Sequence, residues 1–464
     1  MDKLAPSVVV ASLLLALSPG CSDSGSPETP APEAANPNTL KIALVVSLSG
    51  TAAAIGEETK RGAEVAVAQL NAIGGVLNKR LELVVENDSS DPNITRAKVN
   101  DLAAAGVTLG IGPSTSTTAE QLKSLILEDK VLYISPSATS RVLDKLSDAE
   151  PPPVQPGQPP AQPVFFRTAA TDVFLSAALT QYASTAESGS SARRCPSIVL
   201  VQQNDSYGLP IGEAVQKYYQ VFSLSVRRKL DLDPNIDNTT KLNGAASLAG
   251  NTLDARCQVV VAQPEVAGAY MRSFKLFREQ NAGLRDWSTF ITIGSDGFRQ
   301  NEFIAAGRQD PADQALPTAG EGSIAIAADT SPPVPEFSAF FNLFKARFPN
   351  EEPGRYGSTA YDAMIMLAAA IERSGGVADH KAIRDNLYRI SQGRVRVGPN
   401  RLTDMFDRLR RNEDINYEGA SGSLDFTPQG HVRSAFGVWR IVNARFEKVD
   451  EFGISELSDI SSSL

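Results

Sequence analysis

Leu40–Gly75 reads LKIALVVSLSGTAAAIGEETKRGAEVAVAQLNAIGG and joins two structural patterns in one stretch. Leu40–Ser47 is apolar almost without a break, the composition of a strand buried on both faces. From Ile55 to Ile73 the residues Gly62, Val65, Ala66, Gln69, Leu70 and Ile73 share one helical face, and Gly74-Gly75 supply the stop. A buried strand that feeds a helix begins a βαβ unit. Leu81–Glu86, Val107–Ile111 and Val131–Ile134 continue the series as short strands separated by helix-length segments. The alternation predicts an α/β fold with a doubly wound parallel sheet and right-handed crossovers.

Pro151–Pro163 interrupts this order, because so many prolines fit neither a helix nor a central strand. We read it as a surface insertion ahead of a domain crossing. A second series then follows Phe165–Thr168: Ser197–Gln202, Leu224–Leu230, Gln258–Ala262 and Phe290–Ile293, again with helices between. Two such lobes in tandem create a cleft between their strand ends.

Two loops at strand ends share a design. Gly110–Glu120 (GIGPSTSTTAE) and Val131–Ser140 (VLYISPSATS) each run from an apolar strand into hydroxyl residues that open a helix. Backbone N–H groups, hydroxyls and a helix dipole together favour a small anion. Plain capping is the competing explanation, since Thr117 and Glu120 have capping-box spacing. Two loops on neighbouring strands predict a carboxylate site.

The first residues carry an apolar run, Leu4–Leu17, too short to span a bilayer, followed by Ser18-Pro19-Gly20-Cys21. A small residue before Cys21 resembles the bacterial lipoprotein box, in which the cysteine is acylated; an ordinary signal cut nearby and an uncleaved anchor are the alternatives. Residues 22–39 are Ser, Pro, Glu, Ala and Asn with little to bury, which predicts a mobile tether. Beyond it about 425 residues remain, enough for two to three domains.

A formal net charge of −9, without a basic cluster interleaved with aromatics, argues against nucleic acid. Only His380 and His431 are present, and zinc, nucleophile-elbow and phosphate-loop motifs are absent, so we expect no enzyme, no cofactor and no metal. Asp88 and Asp91 fall in a turn signature. Cys195 and Cys257 each precede an apolar strand, so a disulfide is feasible if those strands are neighbours, and two free buried thiols are the alternative.

Taken in order, several segments resemble one family. These are Leu40–Gly75, the GPSTSTT and SPSATS loops, Phe166-Arg167-Thr168, Asn204–Gly208, Gly294-Ser295-Asp296-Gly297, Tyr356–Gly375, Gly422–Phe426 and Phe436–Trp439. Together they resemble the type I periplasmic binding proteins, in the leucine/isoleucine/valine-binding branch of ABC-transporter substrate-binding proteins. The resemblance implies two lobes joined by a three-segment hinge. Lobe one would take residues 40–166 and 326–424, lobe two residues 167–325 and 425–452, with 453–464 as a tail. It also implies that Ser114, Ser116, Ser137, Ala138 and Thr139 hold an α-carboxylate and part of an α-ammonium. Asp296 would receive the ammonium from lobe two, and Tyr207 would stack on or bond to the ligand. Ser-Asp-Gly as a mere turn and a packed Tyr207 ring are the bland alternatives. Ile55 and Ala262-Gln263-Pro264 stand where the family often has aromatics.

The expected protein is a periplasmic, lipid-anchored receptor that closes on an amino acid or similar small carboxylate and presents it to an ABC permease. Its only membrane contact would be the lipid, and it would bind no nucleic acid. The rival expectation is an envelope lipoprotein that uses the same fold as a regulatory or protein-interaction module.

Overall fold

The computed structural model describes residues 38–147, 164–185 and 194–461. Cys21, most of the tether and Pro151–Pro163 lie outside the described residues. In chain order the first strands are β1 (Thr39–Val46), β2 (Arg80–Asn87), β3 (Leu109–Ile111), β4 (Leu132–Ser135) and β5 (Phe166–Ala170). Next come β6 (Ser197–Gln203), β7 (Ser225–Leu232), β8 (Cys257–Val261), β9 (Ile291–Gly294) and β10 (Ile324–Ala328). The small strands β11 (Val395–Val397), β12 (Ile415–Gly419) and β13 (Gly422–Ser423) form a sheet of their own. The last are β14 (His431–Val432), β15 (Phe436–Val442) and β16 (Arg445–Phe452).

Two main sheets result. The first has the order β14-β5-β4-β3-β1-β2 and is parallel throughout. The second has the order β16-β15-β10-β9-β8-β6-β7. It is parallel except at one edge, where β15 runs antiparallel to both β10 and β16. The departure from an all-parallel sheet is local. Asn443 and Ala444 both have positive φ, the geometry of a tight hairpin turn, and a chain that folds back through two residues must pair antiparallel.

Strand pairing redraws the expected lobe boundaries. Residues 167–170 stay with the first sheet, because Ile134 and Ser135 of β4 pair with Phe166 and Arg167. Residues 326–328 complete β10 in the second sheet. Residues 425–432 return to the first, where His431 pairs with Arg167. The expected tail is instead a helix, Ile454–Ser461, whose Leu457 is buried in the second lobe's core. The chain therefore passes between the sheets three times, after β5, β10 and β14. The linking segments follow Ala170, Ala328 and Val432.

Each sheet is covered by helices on both faces, and central strands such as β3, β4, β6, β8 and β10 are buried along their whole length, whereas the edge strands β2, β7 and β16 carry exposed charged residues. In the first lobe the Ala53–Ala72 and Gly357–Ser374 helices cross very closely. A Cβ on Gly62 would lie 2.1 Å from the Gly357 carbonyl oxygen, so only glycine permits this contact. In the second lobe β6 and β8 are neighbours, and Cys195 is bonded to Cys257 across 5.6 Å between Cα atoms. Closing 62 residues of chain is worth roughly 4 kcal/mol in the chain-entropy model.

Candidate functional site

The loops after β3 and β4 face the loops after β6 and β9. In the first loop Thr115 caps a helix of only five residues, Ser116–Glu120, in a capping box with Thr118. The expected Thr117–Glu120 box does not form. Glu120 instead accepts a 2.5 Å hydrogen bond from Ser206 Oγ of the other lobe. The second loop opens a 3₁₀ segment, Arg141–Ser147, rather than an α-helix. Short helices carry little dipole, so discrete hydrogen bonds must dominate any anion binding here.

Those bonds can be counted. Ser114 Oγ accepts from the Ser47 N–H at 3.1 Å, and Ser116 Oγ accepts from the Ser140 N–H at 3.1 Å. A hydroxyl whose lone pair is so engaged still has its O–H free to donate. Ser137 Oγ spends its hydrogen on the Ser114 carbonyl at 2.7 Å. The Thr139 carbonyl accepts at 2.9 Å from the N–H of Asp172, the first residue of the helix that begins the second lobe, and the Thr139 hydroxyl acts on the Asp172 carboxyl. Ser114 and Ser116 are therefore the two donors held ready.

Ala138 stands apart from the other expected residues. Its methyl is buried in the core and its N–H donates to Ser135 Oγ at 3.0 Å.

From the second lobe come Tyr207 and Asp296, both buried. The Tyr207 hydroxyl is hydrogen-bonded to Asp296 Oδ1 and lies 3.0 Å from Ser295 Oγ. Asp205 fixes this loop by accepting the N–H groups of Tyr207 and Gly208. Asp296 opens a one-turn 3₁₀ segment, and a Cβ on Gly297 would lie 2.1 Å from the Ala262 carbonyl oxygen. The Asp-Gly turn is thus structural and also aims a carboxylate at the cleft.

Asp296 already has a cationic partner. Arg355 of the first lobe donates through Nη1 to Asp296 Oδ2 at 2.5 Å, and Tyr356 Oη lies 3.4 Å from the same oxygen. Both side chains of the pair are more than nine-tenths buried. Asp172 lies close enough to feel them. Burial, reinforced by the Asp296 charge, pushes its carboxyl well above the usual range.

Ser114, Ser116, Ser137, Thr139, Tyr207 and Asp296 wall one chamber, together with Ile55, Gln263, Gln300 and Tyr356. Its volume is about 10 Å³, the space of one water. Gln300 also lines a neighbouring cavity of about 300 Å³. Ile55 and Gln263, which stand where the resembled family often has aromatics, form part of this wall. Tyr356 lay inside a segment already noted for its resemblance. Arg355, Asp172 and Gln300 gave no signal, since single charged or amide residues in loops carry no spacing pattern.

Neither histidine reaches this chamber. His380 bonds Thr108 Oγ1 and the Asp129 carbonyl, each at 2.9 Å, and His431 lies in β14. Among the described residues there is no cluster of His, Cys, Asp or Glu that could hold a metal ion, and no helix long and apolar enough to cross a membrane.

Comparison with known proteins agrees with this architecture. The family description "periplasmic binding protein" matches residues 39–431. The leucine-, isoleucine-, valine-, threonine- and alanine-binding protein of Pseudomonas aeruginosa is 24% identical over 364 residues, 77% of this chain and 85% of that protein. A branched-chain amino acid transporter substrate binding protein of Streptococcus pneumoniae, solved with isoleucine, superposes with a TM-score of 0.66 at 21% identity. That match covers 89% of this chain and 99% of the other. A solute binding protein of an ABC transporter from Rhodopseudomonas palustris, solved with 3,4-dihydroxy benzoic acid, gives 0.64 at 15% identity. It covers 90% and 98% of the two chains.

Proposed function

This chain belongs to the periplasmic binding protein family, and we propose that it is the receptor that delivers a small carboxylate to an ABC permease. It is a binding protein and not an enzyme. The observation that carries the reading is the convergence of Ser114 and Ser116 from one lobe with Tyr207 and Asp296 from the other on one chamber. A guest held by both lobes favours the closed arrangement over the open one, which is the differential affinity that closure requires.

The energy is attainable. A micromolar receptor needs about −8 kcal/mol, and hydrogen bonds to a charged group contribute about 1.5 to 3 kcal/mol each. Burial of the ligand body adds to this. The names of the Pseudomonas relative and of the two solved neighbours support a small acid, with or without an amine. Cys21 would carry the lipid, residues 22–39 would hold the body off the membrane, and the protein would work on the periplasmic side.

One observation favours the rival regulatory module: the protein's own Arg355 fills the counter-ion position of Asp296. Calorimetry of ligand-stripped protein with amino acids and small carboxylates separates the two. Saturable one-to-one binding at micromolar concentration is expected for a receptor. Absence of binding across both groups would leave the module.

A further inference from the structure

Both oxygens of the Asp296 carboxylate are engaged within the protein. Oδ1 takes the Tyr207 hydroxyl, and Oδ2 takes Arg355 Nη1 at 2.5 Å with Tyr356 Oη at 3.4 Å. Arg355 is itself held in place by a 2.8 Å contact between Nη1 and Tyr356 Oη, and its guanidinium lies 4.6 Å from the centre of that ring. An incoming ammonium that binds Asp296 must compete with this guanidinium. That would set two cations side by side in a buried space and strip Arg355 of its counter-ion, while Arg355 Nε already lacks a hydrogen-bond partner.

A carboxylate without an amine does not compete with the guanidinium for Asp296, although the lobes must part to admit it because the chamber holds only about 10 Å³. With the pair intact, the Asp296 charge is neutralised and does not repel a second anion, and the Ser114 and Ser116 hydroxyls remain free to donate. The surroundings are also biased towards an anion. The 300 Å³ cavity that shares Gln300 with the chamber is faced by Phe337, Phe341 and Trp439 and by the guanidinium groups of Arg299 and Arg355. Arg299 is stacked 4.8 Å from Trp439 and 4.4 Å from Phe446, and its Nε is buried without a hydrogen-bond partner. The acids on that wall are offset. Asp329 is paired with Lys448 at 2.8 Å and Glu352 with Lys345 at 3.0 Å. Burial pushes Glu58 up to about 7, so at neutral pH it holds less charge than an exposed carboxylate would.

We infer that the ligand of this cleft is an organic carboxylate with no ammonium group beside the acid, because Arg355 supplies from within the protein the cation that Asp296 would otherwise take from its guest. The inference rests on the receptor reading above and names its substrate class. Arg355 acts here as a specificity-determining residue through Asp296.

The test uses matched pairs that differ only in the amine: leucine with 4-methylpentanoate, and phenylalanine with 3-phenylpropanoate, alongside benzoate. Each is titrated calorimetrically into the full chain after ligand stripping. The wild type is expected to bind the amine-free member at least tenfold more tightly. Arg355→Gln exposes the Asp296 charge and is expected to invert that preference, while Arg355→Lys, which keeps a cation, retains it. Equal or tighter binding of the amino acid by the wild type overturns the inference and leaves the receptor reading standing. Binding of no member of any pair overturns both. The wild-type comparison decides the matter even if Arg355→Gln does not fold.

Discussion

Arg355 and Asp296 form a buried ion pair that bridges the two lobes, with Nη1 and Oδ2 2.5 Å apart. A second bridge, from Ser206 Oγ to Glu120 at 2.5 Å, lies on the other side of Tyr207 in the chain. The described arrangement is therefore a closed one, held by the protein's own polar groups. Ligand binding must add to these contacts or exchange with them.

The pair's contribution to folding is accessible through Asp296→Asn. Removing the acid strands a buried guanidinium, and breaking such a pair typically costs about 3 to 5 kcal/mol. Urea denaturation should show a loss of that order, and small-angle scattering should show a larger radius of gyration as the lobes part. An unchanged midpoint and radius would mean that the bridge does not hold the lobes.

The free donors should dominate affinity. Ser114→Ala and Ser116→Ala each remove an O–H available to a carboxylate and are expected to weaken binding about tenfold or more. Ser137→Ala, whose hydrogen is committed to the Ser114 carbonyl, should cost less affinity. Titration of whichever acid binds the wild type ranks the three, and a larger effect at Ser137 would refute the donor assignment.

Packing far from the chamber should reach it through the Gly357–Ser374 helix, which Arg355 and Tyr356 immediately precede. Gly62→Val drives a side chain into the Gly357 carbonyl, and overpacking of this kind costs about 1 to 3 kcal/mol. The variant should be less stable and also bind more weakly. Full affinity in a destabilised variant would show that the helix crossing does not position Arg355.

Acid should destabilise the hinge at His431. Burial, with the charges of Arg167 and Arg433, holds its imidazole down at about 3, against an ordinary value of 6.5. The unfolded chain therefore takes up a proton that the folded one refuses. This contribution is constant above about pH 6.5 and worsens as the pH falls towards 3. Between pH 7.5 and pH 5 the loss is about 2 kcal/mol. Glu58, pushed up by burial to about 7, acts in the opposite sense over part of this range but equally in both proteins compared. His431→Gln should therefore show a shallower pH dependence by urea denaturation, and parallel curves for the two proteins would refute the assignment.

Much of the fold was legible in local pattern. The apolar run of β1 and the helical spacing after it identify the unit, and its repetition identifies two sheets of one design. The lobe boundaries were not legible from pattern. Whether residues 167–170 and 425–432 belong to one sheet or the other depends on β4, β5 and β14 finding each other across more than 260 residues of chain, and no local periodicity encodes that. The antiparallel edge is similar, because β15 reads as any other apolar strand until its hairpin partner is placed.

The hydroxyl loops could be found because their residues are consecutive. Strand alternation leaves such loops at the carboxyl ends, where backbone groups are unpaired whatever the rest of the chain does. What the sequence by itself determined is thus the repeated βαβ architecture and the hydroxyl-lined side of the cleft. Tertiary structure alone decided the other side: Arg355, one residue among many charged ones in a loop, gains its meaning only where closure of the lobes buries it against Asp296. Burial turns a screened, solvated charge into one that must be matched, and which charges are buried together is set by the fold and not by spacing along the chain.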